Sequence, residues 1–286
     1  MFKNLTISGK RFYAQILATV VTNGYFLAPY LKYVPCPSLN CYACPLANFA
    51  CPIGTLQHFL IIGIFPFLLL GVLVLVGALV GRWACGYLCP FGWIQDLLAR
   101  IRRKKLSVPD WLGWGTYVSL FGLVIILPIL TNQPWFQAWF AKFFPNAMVM
   151  GEPWFCKLVC PAGALEGGIP IGGTAIIKTK MLGKYDAIYG MISSFFYFKI
   201  TLLIAILAAS IYIKRPFCRF LCPLGLIFGF FNRFSLMQIK VDKSKVGPKA
   251  DYSKLCPVDI DICDDPVSAK CIRCLQCTKC PGVTRK

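Results

Sequence analysis

Residues 85–92 read Cys-Gly-Tyr-Leu-Cys-Pro-Phe-Gly, and they follow an apolar stretch, 59–80, that contains no charged or polar side chain. The same C-x3-C-P-x-G pattern returns as Cys-Lys-Leu-Val-Cys-Pro-Ala-Gly at 156–163 and as Cys-Arg-Phe-Leu-Cys-Pro-Leu-Gly at 218–225. A partial copy at 51–54 has the second cysteine, the proline and the glycine, with Ala47 in the place of the first cysteine. Self-similarity of this kind indicates an internal repeat.

The apolar stretches around these motifs predict membrane-spanning helices. Hydrophobic residues make up 57% of the 286 residues and charged residues only 14%. About 20 apolar residues cross the hydrocarbon core of a bilayer, and four stretches are long enough to matter: 12–30, 59–80, 111–130 and a last one centred on 200–213. Lys199 separates the last stretch from the apolar residues 188–198, so this region is either one long tilted helix or an interfacial segment followed by a short span. We therefore expect an all-α integral membrane protein with two spans in each pseudo-repeat. Pro66 is expected to kink the second span without ending it.

The repeat also predicts the domain organisation. The pseudo-repeats cover 1–105 and 112–235 and together form a transmembrane domain, 1–235, which a small ferredoxin-like tail, 236–286, follows. If both termini are cytoplasmic, twenty-three of the thirty lysines and arginines lie on the cytoplasmic side, as the positive-inside rule requires. The motifs ending at Cys89 and Cys222 then lie inside, and those ending at Cys51 and Cys160 lie outside. Like motifs are expected to pair across the two halves.

The formal net charge of +19 is more typical of this membrane bias than of nucleic-acid binding, so we exclude a nucleic-acid partner. The chain contains one histidine. Bis-histidine haem, histidine-rich zinc catalysis and Ser-His-Asp chemistry are therefore excluded, whereas the 16 cysteines leave cysteine chemistry plentiful.

The Cys-Pro pairs have the features of cluster ligands. Proline fixes φ and lacks an N–H, so it starts a helix while the preceding cysteine stays extended. Free N–H groups at a helix N-terminus stabilise thiolates and an anionic cofactor. The C-x3-C-P spacing also closes the bacterial ferredoxin run C-x2-C-x2-C-x3-C-P.

The tail identifies the metal. Cys271, Cys274 and Cys277 have the C-x2-C-x2-C spacing that binds three corners of a [4Fe-4S] cluster. Zinc sites, the main alternative, pair two C-x2-C knuckles instead. We expect Cys256 or Cys280 to complete this cluster, with Cys263 as a further remote ligand.

The remaining cysteines bound the number of clusters. An inner cluster is expected on Cys85, Cys89, Cys218 and Cys222, or these share ligands with the tail as in ferredoxins. The outer face carries six cysteines: Cys36, Cys41, Cys44, Cys51, Cys156 and Cys160. The first four could form two disulfides, but their relation to the repeat favours a cluster. Three [4Fe-4S] clusters are expected, within a range of two to four.

The stretches Trp83-Ala-Cys85-Gly-Tyr-Leu-Cys89-Pro-Phe-Gly92 and Arg215-Pro-Phe-Cys218-Arg-Phe-Leu-Cys222-Pro-Leu-Gly225, with the terminal cysteine run, resemble the membrane-bound polyferredoxin-like iron–sulfur proteins. These include the quinol-oxidising subunit of periplasmic nitrate reduction and the membrane domain of the nitrous oxide reductase regulator. The resemblance covers 57–286 and implies about four spans and electron transfer to a periplasmic partner. The usual tail carries eight cysteines for two clusters, whereas this one carries six.

The leading hypothesis is a protein of the inner (cytoplasmic) membrane that passes single electrons through these clusters between a cytoplasmic-side donor and a partner on the other face of the membrane, as one subunit of a membrane oxidoreductase complex. Donors would be other redox subunits or an acidic cytoplasmic carrier, ferredoxin or flavodoxin, which the basic tail would attract. The alternatives are a quinone-reactive dehydrogenase subunit and an electron-donating assembly factor for a metalloenzyme. A quinone site could use the aromatic patch Trp135, Phe136, Trp139, Phe140, Phe143 and Phe144, although such a patch is more typical of an interfacial belt.

Overall fold

The computed structural model describes residues 6–24, 27–41, 44, 47–102, 104–143, 151–170, 194–242, 244–245, 255–263 and 265–285. Within these residues the chain is mostly helical. The longer or site-forming helices are α1 (Ile7–Thr22), α2 (Ala28–Leu31), α3 (Pro52–Ile62), α4 (Phe67–Val80), α5 (Trp83–Tyr87), α6 (Pro90–Leu98), α7 (Asp110–Thr131), α8 (Pro134–Phe143), α9 (Phe155–Val159), α10 (Gly163–Gly168), α11 (Ser194–Tyr212), α12 (Pro216–Phe220) and α13 (Pro223–Phe231). Helix α7 begins as a 3₁₀ turn and becomes π-helical at Val118–Ile126, and α9 and α10 are also π-helical.

Helix α7 is long and apolar enough to cross a membrane, with 22 residues and a mean hydropathy of 1.9. It contains the third predicted span. The shorter apolar helices Pro52–Ile62 and Phe67–Val80 overlap the second predicted span, and Phe196–Tyr212 overlaps the fourth. Helix α11 runs through Lys199 without interruption. Helix α1 starts before the first predicted span and ends at Thr22, so the predicted continuous span 12–30 is wrong in its bounds.

The second predicted span is broken rather than kinked. Helix α3 ends at Gly63, whose φ of 74° is the left-handed conformation that commonly terminates helices. The chain then leaves helical geometry until α4 begins after Pro66. The expectation that Pro66 only kinks this span is therefore wrong, because Gly63 ends the helix before the proline restarts it.

The helices pack so that corresponding parts of the two halves meet. Helix α1 packs against α5 and α6, α11 packs against α6 and α9, and α13 packs against α4. The segment after α13 forms strand β1 (Ile239–Val241), which pairs antiparallel with strand β2 (Val283–Arg285) near the end of the chain. This two-stranded sheet links the tail to the segment that leaves the helical domain.

Candidate metal centres

The structure brings Cys85, Cys89, Cys218 and Cys222 together, and we call these four the inner quartet. Each side chain is at most 6% exposed, and Cys218 lies close enough to interact electrostatically with the other three. Cys89 and Cys222 are the N-caps of α6 and α13. The N–H of Gly92 donates to Cys89 Sγ at 3.4 Å, and the N–H of Gly225 donates to Cys222 Sγ at the same distance. The sulfurs thus lie at helix N-termini, where anionic ligands are stabilised.

Two arginines each reach across the inner quartet and donate to the opposite half of the chain, an arrangement that we call the arginine exchange. Arg215 donates to the carbonyl oxygens of Cys85 at 3.1 Å and Gly92 at 3.2 Å, both in the other half of the chain. Arg82 reciprocally donates to the carbonyl oxygen of Cys218, and a Cβ at Gly225 would collide with its guanidinium. Gly225 is therefore needed for the close approach of Arg82, and Gly92 packs tightly against Arg215. This exchange was not predicted, although each arginine stands three residues before its motif.

A buried carboxylate balances part of this positive charge. Arg215 Nε donates to Asp96 Oδ1 at 2.7 Å, and Arg11 also pairs with Asp96. Burial alone would raise the pKa of Asp96, but the two guanidinium groups outweigh it and hold that pKa below its usual value. Helices α1, α6 and α12 are thereby tied together beside the inner quartet.

A second set, which we call the outer quartet, consists of Cys41, Cys51, Cys156 and Cys160. These cysteines interact electrostatically with one another, and the N–H of Gly163 donates to Cys160 Sγ at 3.3 Å. Cys41 supplies the cysteine that the partial motif lacks at Ala47. Its own N–H donates to Glu166 at 2.6 Å, and Lys199 Nζ donates to the carbonyl oxygen of Cys156 at 2.8 Å.

The tail forms a third set, the tail quartet, from Cys256, Cys271, Cys274 and Cys277. Of the two ligands considered for the fourth corner, the structure brings Cys256 to this position. Burial raises the pKa of both Cys271 and Cys277 to about 12. Such buried thiols become thiolates readily only when a metal binds them.

The tail quartet is docked on the inner quartet by hydrogen bonds. Tyr87 Oη donates to the carbonyl oxygen of Cys274 at 3.0 Å. Asn232 Nδ2 donates to the carbonyl oxygens of Ser268 and Cys271, each at 2.8 Å. Because Tyr87 lies between the two inner-motif cysteines of the first half, the two quartets are neighbours.

The other four predicted ligands are Cys36, Cys44, Cys263 and Cys280. The sulfur of Cys36 lies 2.9 Å from Ser38 Oγ, and the N–H of Cys280 donates to the carbonyl oxygen of Cys277. All sixteen cysteines lie in the part of the chain that the structure describes, and all are free thiols. The alternative of two outer disulfides is not what the structure forms.

The donor sets fit iron–sulfur clusters better than single metal ions. Among the described residues, no group of three or more His, Cys, Asp or Glu side chains converges as ligands of one ion do. Zinc ligands all lie about 2.1–2.3 Å from the same ion. Cysteines around a [4Fe-4S] cluster each bind a different iron, so quartets of buried or partly buried thiols with N–H donors aimed at sulfurs suit it. The aromatic patch contributes Trp135, Phe136 and Trp139 to α8; Phe144 and the side chains of Phe140 and Phe143 lie outside the described residues.

Gly86 allows the tail to pack closely against the motif of the inner quartet. A Cβ at Gly86 would lie 2.6 Å from the carbonyl oxygen of Ile272, so Gly86→Ala is expected to push the tail away. Overpacking costs about 1–3 kcal/mol, and trypsin should then cleave the tail about tenfold faster in a limited-digestion time course. Gly71→Ala is the matched control, because a Cβ there meets nothing within 4 Å. Equal resistance of both variants would contradict this docking.

Comparison with known families gives the class of protein. A model of the 4Fe-4S binding domain matches residues 62–109, 131–169 and 195–243, and each match contains one complete C-x3-C-P-x-G motif. The chain is thus related to the polyferredoxin-like 4Fe-4S proteins, as its motifs predicted.

Particular relatives agree with this class. The chain is 26% identical over 79% of its length to an uncharacterised protein of Methanocaldococcus jannaschii, covering 81% of it. It is 23% identical over 74% of its length to the Escherichia coli protein YccM, named for electron transport, and covers 51% of that protein. It is 24% identical over 71% of its length to the regulatory protein NosR of Stutzerimonas stutzeri, covering 24% of it. No solved structure matches the chain. The matches indicate an iron–sulfur protein of electron transfer.

Proposed function

We propose that the protein carries single electrons across the cytoplasmic membrane, with three [4Fe-4S] clusters held by the inner, outer and tail quartets. When bound, such clusters supply one-electron redox chemistry. The chain's own residues hold the cysteines at helix N-termini, exclude water from them and balance their charge. A donor on the tail side loses one electron, an acceptor on the other face gains it, and no bond is made or broken.

The observation that supports this proposal is the continuity of the three quartets. Tyr87 joins the tail quartet to the inner quartet, and the N–H groups of the adjacent residues Leu39 and Asn40 contact Cys89 of the inner quartet and Cys51 of the outer quartet. Helices α3 and α4 contain 11 and 14 residues and connect Cys51 to Cys85. At about 1.5 Å per residue they rise roughly 16 and 21 Å, so each is shorter than the roughly 30 Å of hydrocarbon. The 22 residues of α7 rise about 33 Å between the inner motif of the first half and the outer motif of the second.

The surface of the helices supports a lipid environment. Large apolar side chains that would be buried in a soluble protein are exposed on several helices, for example Leu17 at 65%, Phe67 at 77% and Val118 at 67%. We infer four crossings in two pseudo-repeats, 1–105 and 112–235, with both termini and the tail domain 236–286 in the cytoplasm.

The basic character of the tail supports an acidic cytoplasmic donor. Lys279 and Arg285 lie beside the tail quartet and are exposed. A reduced ferredoxin or flavodoxin would be attracted to this face, and other redox subunits of a membrane complex would accept the electron outside. Because exposed charges are screened by salt, the rate of electron delivery is expected to fall with ionic strength.

The number of irons and sulfides per chain, measured in variants of the tail cysteines, tests this proposal. Anaerobically purified protein is expected to contain about twelve irons and twelve acid-labile sulfides per chain, from three [4Fe-4S] clusters. Cys256→Ser should remove about four of each, whereas Cys280→Ser should leave the count unchanged, because only Cys256 belongs to the tail quartet. Colorimetric iron and sulfide assays measure both. Loss with Cys280→Ser and retention with Cys256→Ser would contradict this ligand assignment, and protein without iron would contradict the function.

A quinol is a second candidate donor, favoured by one cavity. A cavity of about 590 Å³ beside Phe217, the neighbour of Cys218, is lined almost wholly by apolar side chains from α7, α11 and α12. Ala209→Phe would fill part of it. If quinol is the donor, reduction of the bound clusters by menadiol should slow in this variant while reduction by dithionite does not; menadiol that reduces neither protein would contradict a quinol site.

A further inference from the structure

The residue six positions after each motif's second cysteine reaches toward the opposite half of the chain in three of the four copies. This position holds Gln57, Gln95, Glu166 and Phe228 in chain order. Glu166 accepts the N–H of Cys41, and Phe228 is a fully buried apolar side chain. The two glutamines do something different, because each contacts a cysteine sulfur.

Both glutamines are completely buried, at 0% exposure. Gln95 Nε2 donates to Cys218 Sγ at 3.1 Å, and Gln57 Nε2 donates to Cys156 Sγ at 3.3 Å. Each sulfur belongs to the first cysteine of a complete motif in the second half of the chain. The first half therefore contributes one equivalent amide to the inner quartet and one to the outer quartet.

The orientation of the amides follows from their partners. Gln57 Oε1 accepts the N–H of Phe155 at 3.0 Å, so Nε2 is the atom that faces Cys156. The bond to Cys218 is the only side-chain hydrogen bond of Gln95 among the residues that the structure describes. A cysteine that ligates iron is a thiolate and can only accept, which requires Nε2 at that position as well.

We infer that Gln57 and Gln95 are positioning residues that raise the reduction potentials of the outer and inner clusters, respectively. This inference rests on the proposed function. A hydrogen bond to a ligating sulfur stabilises the more negative, reduced form of a cluster, and the effect is stronger in a buried site of low dielectric constant. Because each glutamine contacts a different quartet, the reduction potentials of the inner and outer clusters are adjusted separately although the two motifs share one local structure.

The test is a redox titration of the complete protein followed by EPR. Methionine matches glutamine in length and cannot donate, so Gln95→Met should lower the potential of the inner cluster and leave the outer one unchanged. Gln57→Met should do the reverse, and each variant is the control for the other. We expect at least a tenfold change in the oxidised-to-reduced ratio at fixed potential, which is 59 mV for a one-electron couple.

Two results would overturn the inference: unchanged potentials in both variants with iron retained, or equal shifts of both clusters in each variant. If a methionine variant loses its iron, the hydrogen bonds are tested in the unsubstituted protein instead. Glutamine labelled with the heavy nitrogen isotope at its side-chain amide should then show coupling to the reduced inner and outer clusters by pulsed EPR, and no coupling would overturn the inference. Absence of any cluster signal from the unsubstituted protein would instead contradict the proposed function.

Discussion

Replacing Cys160 with serine is expected to remove about four irons and four sulfides per chain, about a third of the total, and to stop electron transfer across the membrane. Cys160 belongs to the outer quartet, is 3% exposed and accepts the N–H of Gly163. Removing one of four thiolates leaves a cluster corner unligated inside a buried site. The inner and tail clusters should persist, because their quartets share no cysteine with the outer one.

The matched control is Cys36→Ser on the same face. Cys36 is also buried, at 6% exposure, but its sulfur lies beside Ser38 Oγ, and the near-isosteric serine keeps that polar contact. Iron and sulfide should stay at the level of the unsubstituted protein. The outer assignment would be wrong if Cys36→Ser removed a cluster and Cys160→Ser did not.

Arg215→Met is expected to lower the free energy of unfolding by about 3–5 kcal/mol, which is the usual cost of removing one partner of a buried ion pair. Arg215 is 0% exposed and holds Asp96 together with two carbonyl oxygens of the opposite motif. Methionine fills similar space at the same left-handed backbone position, where φ is 46°, so the backbone strain is unchanged. Thermal denaturation in detergent, followed by size-exclusion chromatography, measures the effect.

Lys214→Met provides the comparison at the adjacent position. Its ion pair with Asp259, at 3.0 Å, is partly exposed, and such pairs contribute about 1 kcal/mol or less. The Arg215 variant should therefore denature at a clearly lower temperature and lose inner-quartet iron first. Equal midpoints for the two variants would mean that the arginine exchange does not stabilise the pairing of the two halves.

The pairing of like motifs could be predicted from the sequence because the repeat is local and strict. A Cys-Pro pair that follows an apolar stretch favours a helix start, so the pattern alone places Cys89 and Cys222 at equivalent helix N-termini. The inner quartet follows from that symmetry. The choice of Cys256 over Cys280 did not follow, because spacing does not determine how a remote cysteine folds back.

Other features depend on tertiary contacts that leave little trace in the sequence. Gly63 ends a helix inside an uninterrupted apolar stretch, which hydropathy alone reads as continuous. Cys41 completes the outer quartet from outside the motif. Arg82 and Arg215 are visible as a shared position before the two inner motifs, but their exchange between halves appears only once the halves are packed.

The central claim, electron transfer between the two faces, is tested most directly in sealed phospholipid vesicles that contain the purified protein. Ferricyanide is trapped inside and dithionite is added outside, so each ferricyanide reduced reports one electron that has crossed the membrane. We predict reduction at least tenfold faster than in vesicles carrying Cys160→Ser. A rate equal to that of protein-free vesicles, with all three clusters present, would contradict the account.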